Sequence, residues 1–187
     1  MLNHKGTVII ETDRLLLRRF AMKDASSVFH NWASDIEISR YMRWAPHGNM
    51  EETKKVIHGW IDSYYKKSFY QWAITLKGIE EPIGAIGLFI VNENDLCGDV
   101  GYCISKEYWG QGITTDALKA IISFAFDRIG FNRIETYHSI HNPASGRVMQ
   151  KAGMTFEGIA KQKYRSISGF EDSNMYAIIR EDYKKGN

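Results

Sequence analysis

The sequence predicts an α/β fold built on a mixed sheet, and three features of the pattern indicate it. Short runs with apolar residues in strand-like patterns recur along the chain, at 11–20, 70–77, 82–91, 99–105, 133–140, 155–164 and 174–180. Amphipathic helical patterns lie between some of them. The separators 78–81 and 92–98 carry turn-forming residues, so the three strands around them are expected to form an antiparallel meander.

Helices are predicted before and between these strands. The helical segments are 24–32, a short or irregular piece at 35–44, 49–66, 115–129 and one that begins at 143. The apolar stripe of the third is expected to consist of Met50, Val56, Ile57, Trp60, Ile61 and Tyr64. Gly130 is expected to end the helix at 115–129. Asn142 and Pro143 are typical of an N-cap and a first helical position, and Gly153 ends that last helix.

The composition indicates one folded domain, 1–187, with its core at about 11–183. Hydrophobic residues make up 44% of the 187 residues and aromatic residues 13%, which suffices for a core. A net charge of +2 is too balanced to indicate nucleic acid or a membrane as the main partner. Cys97 and Cys103 flank one strand and are poor disulfide partners. Without a signal-peptide pattern or a long apolar run, we expect a reduced, cytoplasmic protein.

The most informative motif is the stretch Trp109-Gly-Gln-Gly-Ile-Thr-Thr-Asp116, a glycine-rich turn between a predicted strand and a predicted helix. Such a turn presents unpaired N–H groups at the positive end of a helix dipole, which suits a phosphate or pyrophosphate. No Gly-Lys-Ser/Thr follows, which excludes the loop of a nucleoside triphosphatase. Thr115 stands at the third glycine of the dinucleotide motif Gly-x-Gly-x-x-Gly, which therefore fails. The glycines alone do not identify the ligand.

Further motifs extend along nearly the whole chain. They are Glu11-Thr-Asp-Arg-Leu-Leu-Leu-Arg-Arg-Phe20 with Asp24-Ala25, Arg40-Tyr-Met-Arg-Trp44, Trp72-Ala-Ile74, Ile83-Gly84, Asp99-Val-Gly-Tyr-Cys-Ile104 with Tyr108-Trp-Gly-Gln-Gly112, and Asn142-x-x-Ser145 through Lys151-Ala-Gly153. Together they resemble the GNAT superfamily of acyl-CoA-dependent N-acetyltransferases, and within it the group of ribosomal-protein N-terminal acetyltransferases. The resemblance implies a mostly antiparallel mixed sheet flanked by helices, with a splayed central pair of parallel strands at 99–105 and 133–140.

The resemblance also implies acetyl-CoA as co-substrate. In this superfamily the pyrophosphate lies on backbone N–H groups of a turn with the pattern Gln/Arg-x-x-Gly-x-Gly/Ala. Gly112 matches, Trp109 is similar to what this group shows at the first position, and Thr114 departs from the small last residue. The cofactor-binding residues so implied are Tyr102, Cys103, Ile104, Trp109, Gly110, Gln111, Gly112, Ile113, Thr114, Thr115 and Asn142. An N-cap role alone would also explain Asn142.

Acyl transfer from a thioester to an amine needs a neutral amine and a proton for the leaving thiolate. Asp99 occupies the position at which many relatives place a carboxylate that takes the amine proton through water. Its alternative is a solvated residue at a strand start. Ser145 lies where related enzymes place a hydroxyl beside the sulfur, and its alternative is a serine tolerated near a helix start. Other members use a tyrosine four residues further on, where this chain has Met149.

The acceptor side of the cleft is implied at Tyr41, Arg43 and Trp44, of which Tyr41 and Trp44 could instead pack the N-terminal helices onto the sheet. We expect direct transfer to a primary amine, foremost a protein or peptide N-terminus. A small amine (an aminoglycoside, polyamine or amino acid), a non-catalytic acyl-CoA sensor and, much less, a structural module with an incidental glycine turn are the alternatives. An acyl-cysteine at Cys103 is an alternative route, and a homodimer is an option. No metal is expected, because His138 and His141 would lie on opposite faces of a strand.

Overall fold

A computed structural model describes residues 1–186, in which eight strands form one sheet. They are β1 (Ile10–Glu11), β2 (Leu15–Arg18), β3 (Gln71–Leu76), β4 (Gly84–Asn92), β5 (Cys97–Ile104), β6 (Arg133–Ser139), β7 (Thr155–Ser166) and β8 (Gly169–Ile179). The spatial order is β1-β2-β3-β4-β5-β6-β8-β7. The pair β5–β6 is parallel and the other neighbouring pairs are antiparallel. The predicted mixed, mostly antiparallel sheet is therefore confirmed.

Six helices accompany the sheet in the described residues. They are α1 (Ala25–Val28), α2 (Ile36–Ser39), α3 (Met50–Ser63), α4 (Ile113–Phe124), α5 (Pro143–Lys151) and α6 (Arg180–Gly186). A π-helical turn extends α1 over Phe29–Ala33, and another extends α4 over Ala125–Ile129. Gly130 ends the second of these turns in the left-handed conformation, with φ 100°. α4 begins two residues earlier than the sequence pattern indicates.

Each face of the sheet carries its own hydrophobic cluster. On the first, which we call the α4 face, the core includes Val100, Ile104, Leu118, Ile121, Ile134 and Met149. On the second, the α3 face, it includes Phe20, Val28, Trp32, Ile57, Ala73 and Ala85, with Cys103 packed against them. Since side chains alternate along a strand, Asp99 shares the α3 face with Cys103, whereas Tyr102 shares the α4 face with Val100.

Besides the start of α4, three details of the predicted elements are wrong, and the first is that β8 begins at Gly169 and not at 174. The single strand expected at 11–20 is a hairpin of β1 and β2, because the Thr12 hydroxyl accepts from the N–H groups of Arg14 and Leu15 (3.3 and 2.9 Å) and turns the chain. In α3, Val56 is exposed. Thr53 and Ile57, one turn apart, are the buried residues, so the helix buries a narrower stripe than its apolar residues suggest.

Candidate functional site

The two parallel strands pair only at their beginnings. Cys97–Asp99 of β5 pairs with Arg133–Glu135 of β6. The Thr136 hydroxyl then donates to the Val100 carbonyl (2.6 Å), so a side chain of β6 bonds to the backbone of β5 where the ladder ends. Beyond this point the strands diverge, as the predicted splay requires, and an opening lies between them.

The edge of β5 turns free backbone groups towards this opening. Ser105 N donates to Ile83 O (2.8 Å), so alternate residues of β5 bond to β4 and the ones between them face β6. Tyr102 and Ile104 are the ones that face β6. The Ile104 carbonyl accepts from the Trp109 indole (3.1 Å). An extended chain can therefore pair with the N–H and C=O groups that remain at this edge.

The glycine turn beyond β5 leaves the start of α4 without a side-chain cap. Gly110 and Gly112 have φ of 75° and 76°, in the left-handed region that favours glycine. No side chain caps the helix at Gly112. The first helical hydrogen bond runs from Asp116 N to Gly112 O (3.0 Å), so the N–H groups of 113–115 have no partner within the helix. These donors and the helix dipole suit an anion.

The threonine that replaces the expected small residue is buried at the start of α4. The exposed fractions of Thr114 and Thr115 are 8% and 7%, so neither side chain stands out from the surface of the turn. On the outer side Arg14 clamps the turn, since its Nε donates to Asp116 (2.8 Å) and its Nη1 to the Gln111 carbonyl (3.1 Å). Sequence reasoning missed Arg14, which lies 97 residues before Gln111 in the chain.

A hydroxyl pair on the α4 face joins β5 to α5. The Tyr102 and Ser145 hydroxyl oxygens are 2.9 Å apart, and the Tyr102 hydroxyl also lies 3.2 Å from the Ser145 carbonyl. The Asn142 side chain caps α5 by accepting from Ser145 N (3.4 Å). Burial raises the pKa of Tyr102 above its ordinary value, so the phenol keeps its proton. Met149 is buried in the core, where its thioether can donate no proton.

Asp99 lies on the opposite face, where the parallel pairing of β5 and β6 ends. Burial, reinforced by the neighbouring Glu135 carboxylate, raises the pKa of Asp99 to about 6. Asp99 and Ser145 therefore lie on different faces of the sheet, and the opening between β5 and β6 separates them. A base that titrates near neutrality suits proton abstraction from an amine.

The predicted acceptor residues divide between two roles. Arg43 donates from Nε and Nη2 to the Tyr137 hydroxyl (3.0 and 2.8 Å), on the same face as Asp99. Tyr41 lines a pocket of about 410 Å³ together with Arg40, His141, Ser168 and Glu171. Trp44 packs against the cluster of the α3 face, 5.9 Å from the His47 ring. This placement agrees with the alternative in which Trp44 packs the N-terminal helices onto the sheet.

The floor of that pocket is a buried carboxylate. The Glu171 side chain accepts from the hydroxyls of Ser139 (2.6 Å) and Ser166 (2.7 Å), and its exposed fraction is 7%. The two hydroxyl donors compensate the cost of burying the charge. Sequence reasoning missed Glu171, and also Glu135 and Tyr137, which strand alternation from Ile134 would have placed on the face of Asp99.

The remaining candidate residues, Cys103, His138 and His141, show little sign of reactivity. Burial raises the pKa of the Cys103 thiol to about 12, so it is a poor nucleophile. His138 is buried with Nε2 against α5, where a Cβ on Gly146 would lie 2.5 Å away. His141 is exposed on the loop beyond β6.

Within residues 1–186 no group of three or more His, Cys, Asp or Glu side chains is placed to hold a metal ion. In the same range no helix is long and apolar enough to cross a membrane.

Comparisons with known proteins show the family and the fold. The model of the acetyltransferase (GNAT) domain family matches residues 14–155. The chain is 29% identical over 172 residues to YoaA of Bacillus subtilis, an uncharacterized N-acetyltransferase, covering 92% of this chain and 97% of that one. It is 26% identical over 129 residues to the ribosomal-protein-serine acetyltransferase of Escherichia coli, covering 69% and 71% of the two chains. Its fold matches that of a ribosomal L7/L12 α-N-protein acetyltransferase solved with coenzyme A, with a TM-score of 0.81, 23% identity and coverage of 92% and 98%.

Proposed function

Because the chain belongs to the GNAT acetyltransferase family, we propose that it transfers the acetyl group of acetyl-CoA to a primary amine by direct attack in a ternary complex. We further propose that the acceptor is the N-terminal amine of a protein or peptide. The observation that carries the proposal is the uncapped N-terminus of α4 beside the unpaired edge of β5. One end of this arrangement suits a pyrophosphate and the other an extended arm.

The residues present fit acetyl-CoA. The N–H groups of 113–115 and the turn at Gly110–Gly112 would hold the pyrophosphate, while the backbone of Tyr102 and Ile104 would hold the pantetheine arm. Acetyl-CoA, when bound, supplies an acetyl group activated as a thioester. The chain supplies alignment, because the rigid sheet holds both ends of the ligand at fixed positions.

Asp99 is the proposed base. Its carboxylate accepts a proton from the acceptor ammonium, through a water molecule, and so generates the neutral amine that attacks the thioester. The partly buried setting that raises its pKa to about 6 makes it a stronger base than an exposed aspartate while leaving it mostly ionised at neutral pH. Glu135, its parallel neighbour, which pairs with Arg133 (3.0 Å), helps to hold the pKa of Asp99 above its ordinary value.

Ser145 is the proposed acid. Its hydroxyl gives a proton to the leaving sulfur, and the proton that the attacking nitrogen loses on becoming an amide returns to the Ser145 oxygen. The Tyr102 phenol, whose oxygen lies 2.9 Å away, orients the Ser145 hydroxyl through their hydrogen bond. Tyr102 is suited to this because its raised pKa keeps it protonated throughout the working range of pH. Cys103 has no part in the proposal, since its protonated thiol on the α3 face does not favour an acyl-cysteine.

Calorimetry with acetyl-CoA, followed by a thiol-release screen against peptides that begin with Ala, Ser or Met, tests the function. We expect binding, and release of thiol with at least one peptide. Absence of acetyl-CoA binding at high micromolar concentrations would reject the proposal. Binding without thiol release across the peptides and a panel of small amines would instead support an acyl-CoA sensor.

The pH dependence tests the base. Deprotonated Asp99 is the active form, so kcat/KM should rise with pH through about 6, the pKa of Asp99. In the Asp99→Asn variant this limb should vanish and kcat should fall by about 100-fold. Asp95→Asn, in the exposed turn before β5, is the control and should keep the wild-type profile. An unchanged profile in Asp99→Asn would exclude the base role.

A further inference from the structure

Two cations flank one phenol on the face of the sheet that carries Asp99. The Arg43 guanidinium carbon lies 5.8 Å from the centre of the Tyr137 ring, and Lys163 Nζ lies 5.7 Å from the same centre. Arg43 also lies 5.1 Å from the centre of the Tyr164 ring. The aromatic faces hold both cations in place through cation–π contacts.

Neither cation forms a close ion pair with a carboxylate in the part of the chain that the structure describes. Within residues 1–186 the ion pairs closer than 4.0 Å include neither Arg43 nor Lys163. Other cations near the sheet are paired. Lys106 contacts Asp35 and Glu37, and Arg133 contacts Glu135 and Glu157. The two cations beside Tyr137 therefore remain available to an external anion.

An irregularity in β7 places Lys163. The register between β7 and β8 shifts between Ala160 and Tyr164, which leaves a bulge over 161–163. Gln162 in this bulge has φ 48°, a left-handed conformation that is unfavourable for a residue other than glycine, and its N–H donates to Asp172 (2.8 Å). Bulges beside functional sites re-aim side chains. Here the bulge brings Lys163 over the ring of Tyr137.

Both cations act on the place where the amine proton is to be removed. Arg43 and Lys163 each exert a field on Asp99 that opposes the rise in its pKa. A polyamine or an aminoglycoside carries several positive charges and would be repelled by this pair. A carboxylate next to the reacting amine would be attracted, and Arg43 can hold it with the guanidinium donors that Tyr137 does not use.

We propose that Arg43 and Lys163 bind a carboxylate that the acceptor carries close to its reacting amine, which makes acidic acceptors the preferred substrate class. The inference rests on the proposed acetyltransferase function. The carboxylate has two sources: acidic side chains at the second and third positions of a peptide, or the α-carboxylate of a free amino acid. The chemistry at Arg43 and Lys163 is the same for both.

Matched acceptors test the inference in the full-length protein with acetyl-CoA. Peptides that begin Ser-Asp-Asp and Ser-Asn-Asn differ in charge but little in shape, and one that begins Ser-Lys-Lys reverses the charge. Free serine, serine amide and spermidine represent small acceptors. We expect kcat/KM to be about tenfold higher for an acidic peptide than for its amide counterpart, and lowest for the lysine peptide and spermidine. The preference should shrink at 0.5 M salt, at which charges are screened within about 4 Å.

Two variants test whether Arg43 and Lys163 cause the preference for an acidic acceptor. Lys163→Gln and Arg43→Gln should each reduce the ratio of kcat/KM between the Ser-Asp-Asp and Ser-Asn-Asn peptides about fivefold, through KM. Lys184→Gln, an exposed lysine of α6, is the control. Because Arg43 also holds Tyr137, Lys163→Gln decides the outcome if Arg43→Gln does not fold.

The outcomes separate the inference from the function. Equal rates for acidic and amide acceptors, with acetyl transfer intact, would overturn the inference and leave the function standing. A preference for serine over serine amide without one among the peptides would support it for a small acceptor. If no amine is acetylated, calorimetry of the three peptides against the protein with coenzyme A decides. Tighter binding of the acidic peptide supports the pair as an anion site, and equal binding rejects it.

Discussion

Helices α4 and α5 follow the two diverging parallel strands, and their N-termini are built in opposite ways. α5 begins with Asn142, whose side chain caps it, and with Pro143, which has no N–H to satisfy. α4 begins with Gly112, in the left-handed conformation and without a side-chain cap. The N-terminus of α5 has a hydrogen-bond acceptor within the protein, whereas the N–H groups at the N-terminus of α4 require an acceptor from outside.

The difference indicates how the two helices divide the work. A missing N-cap costs about 1 kcal/mol of stability, so an uncapped α4 is unfavourable unless an anion binds there. Since α5 is already capped, what it presents near the opening is a side-chain hydroxyl, that of Ser145, rather than free backbone donors. α4 is therefore suited to binding, and α5 to chemistry.

Substitution of Ser145 should have the largest effect. In Ser145→Ala we expect kcat to fall about 100-fold, because the proton donor is lost, with the affinity for acetyl-CoA unchanged within about twofold. Steady-state kinetics and calorimetry measure the two effects. Ser63→Ala, which removes a hydroxyl from α3 that bonds only to the Gly59 carbonyl, is the control. Unchanged turnover in Ser145→Ala would show that α5 carries no general acid, and would remove the proposed division of binding and chemistry between α4 and α5.

The turn before α4 should show the reverse pattern. A β-branched residue at φ 76° is strained by about 1–3 kcal/mol, so Gly112→Val should weaken acetyl-CoA binding by about tenfold or more. Gly78, which has φ 82° in the turn after β3, provides the matched control. Gly78→Val should carry a similar strain yet bind acetyl-CoA normally. If both variants bind equally well, the turn at Gly112 does not hold the ligand.

Most of the fold was predictable because each element carries its own signal. Alternating apolar residues indicated the strands, and Asn142, Pro143 and Gly130 marked helix ends by simple local chemistry. The hairpin at Thr12 was missed, since a single hydroxyl that turns the backbone leaves no periodic pattern. Val56 was misassigned because apolar spacing tells which residues can be buried, but not how wide a surface the neighbouring element covers.

The candidate site was predictable where it follows the chain and not where it depends on packing. The glycine turn and Ser145 lie in local motifs, and the structure places them beside the splayed strands. Arg14 and Lys163 reach the site from distant segments, and only the sheet order and the bulge in β7 bring them there. Long-range contacts of this kind leave no spacing rule in a single sequence.

Removal of the cap on α5 should affect stability more than binding. In Asn142→Ala we expect the free energy of unfolding to fall by up to about 1 kcal/mol, because Ser145 N loses its side-chain acceptor and keeps only the Asn142 carbonyl (3.2 Å). Urea unfolding followed by circular dichroism measures this change. The affinity for acetyl-CoA should change by less than threefold. A larger loss of affinity would mean that Asn142 contacts the ligand directly, as the cofactor-binding role predicted for it requires.

The clamp on the α4 turn should have the smallest effect. Arg14 and Asp116 form a half-exposed ion pair, and pairs of this kind contribute about 0–1 kcal/mol. In Arg14→Gln we therefore expect acetyl-CoA to bind about two- to threefold more weakly, as measured by calorimetry, because the two glycines already set the turn. Lys23→Gln, which breaks the exposed pair with Glu80, is the matched control and should bind normally. A loss above tenfold in Arg14→Gln would mean that the open N-terminus of α4 depends on the arginine rather than on the backbone.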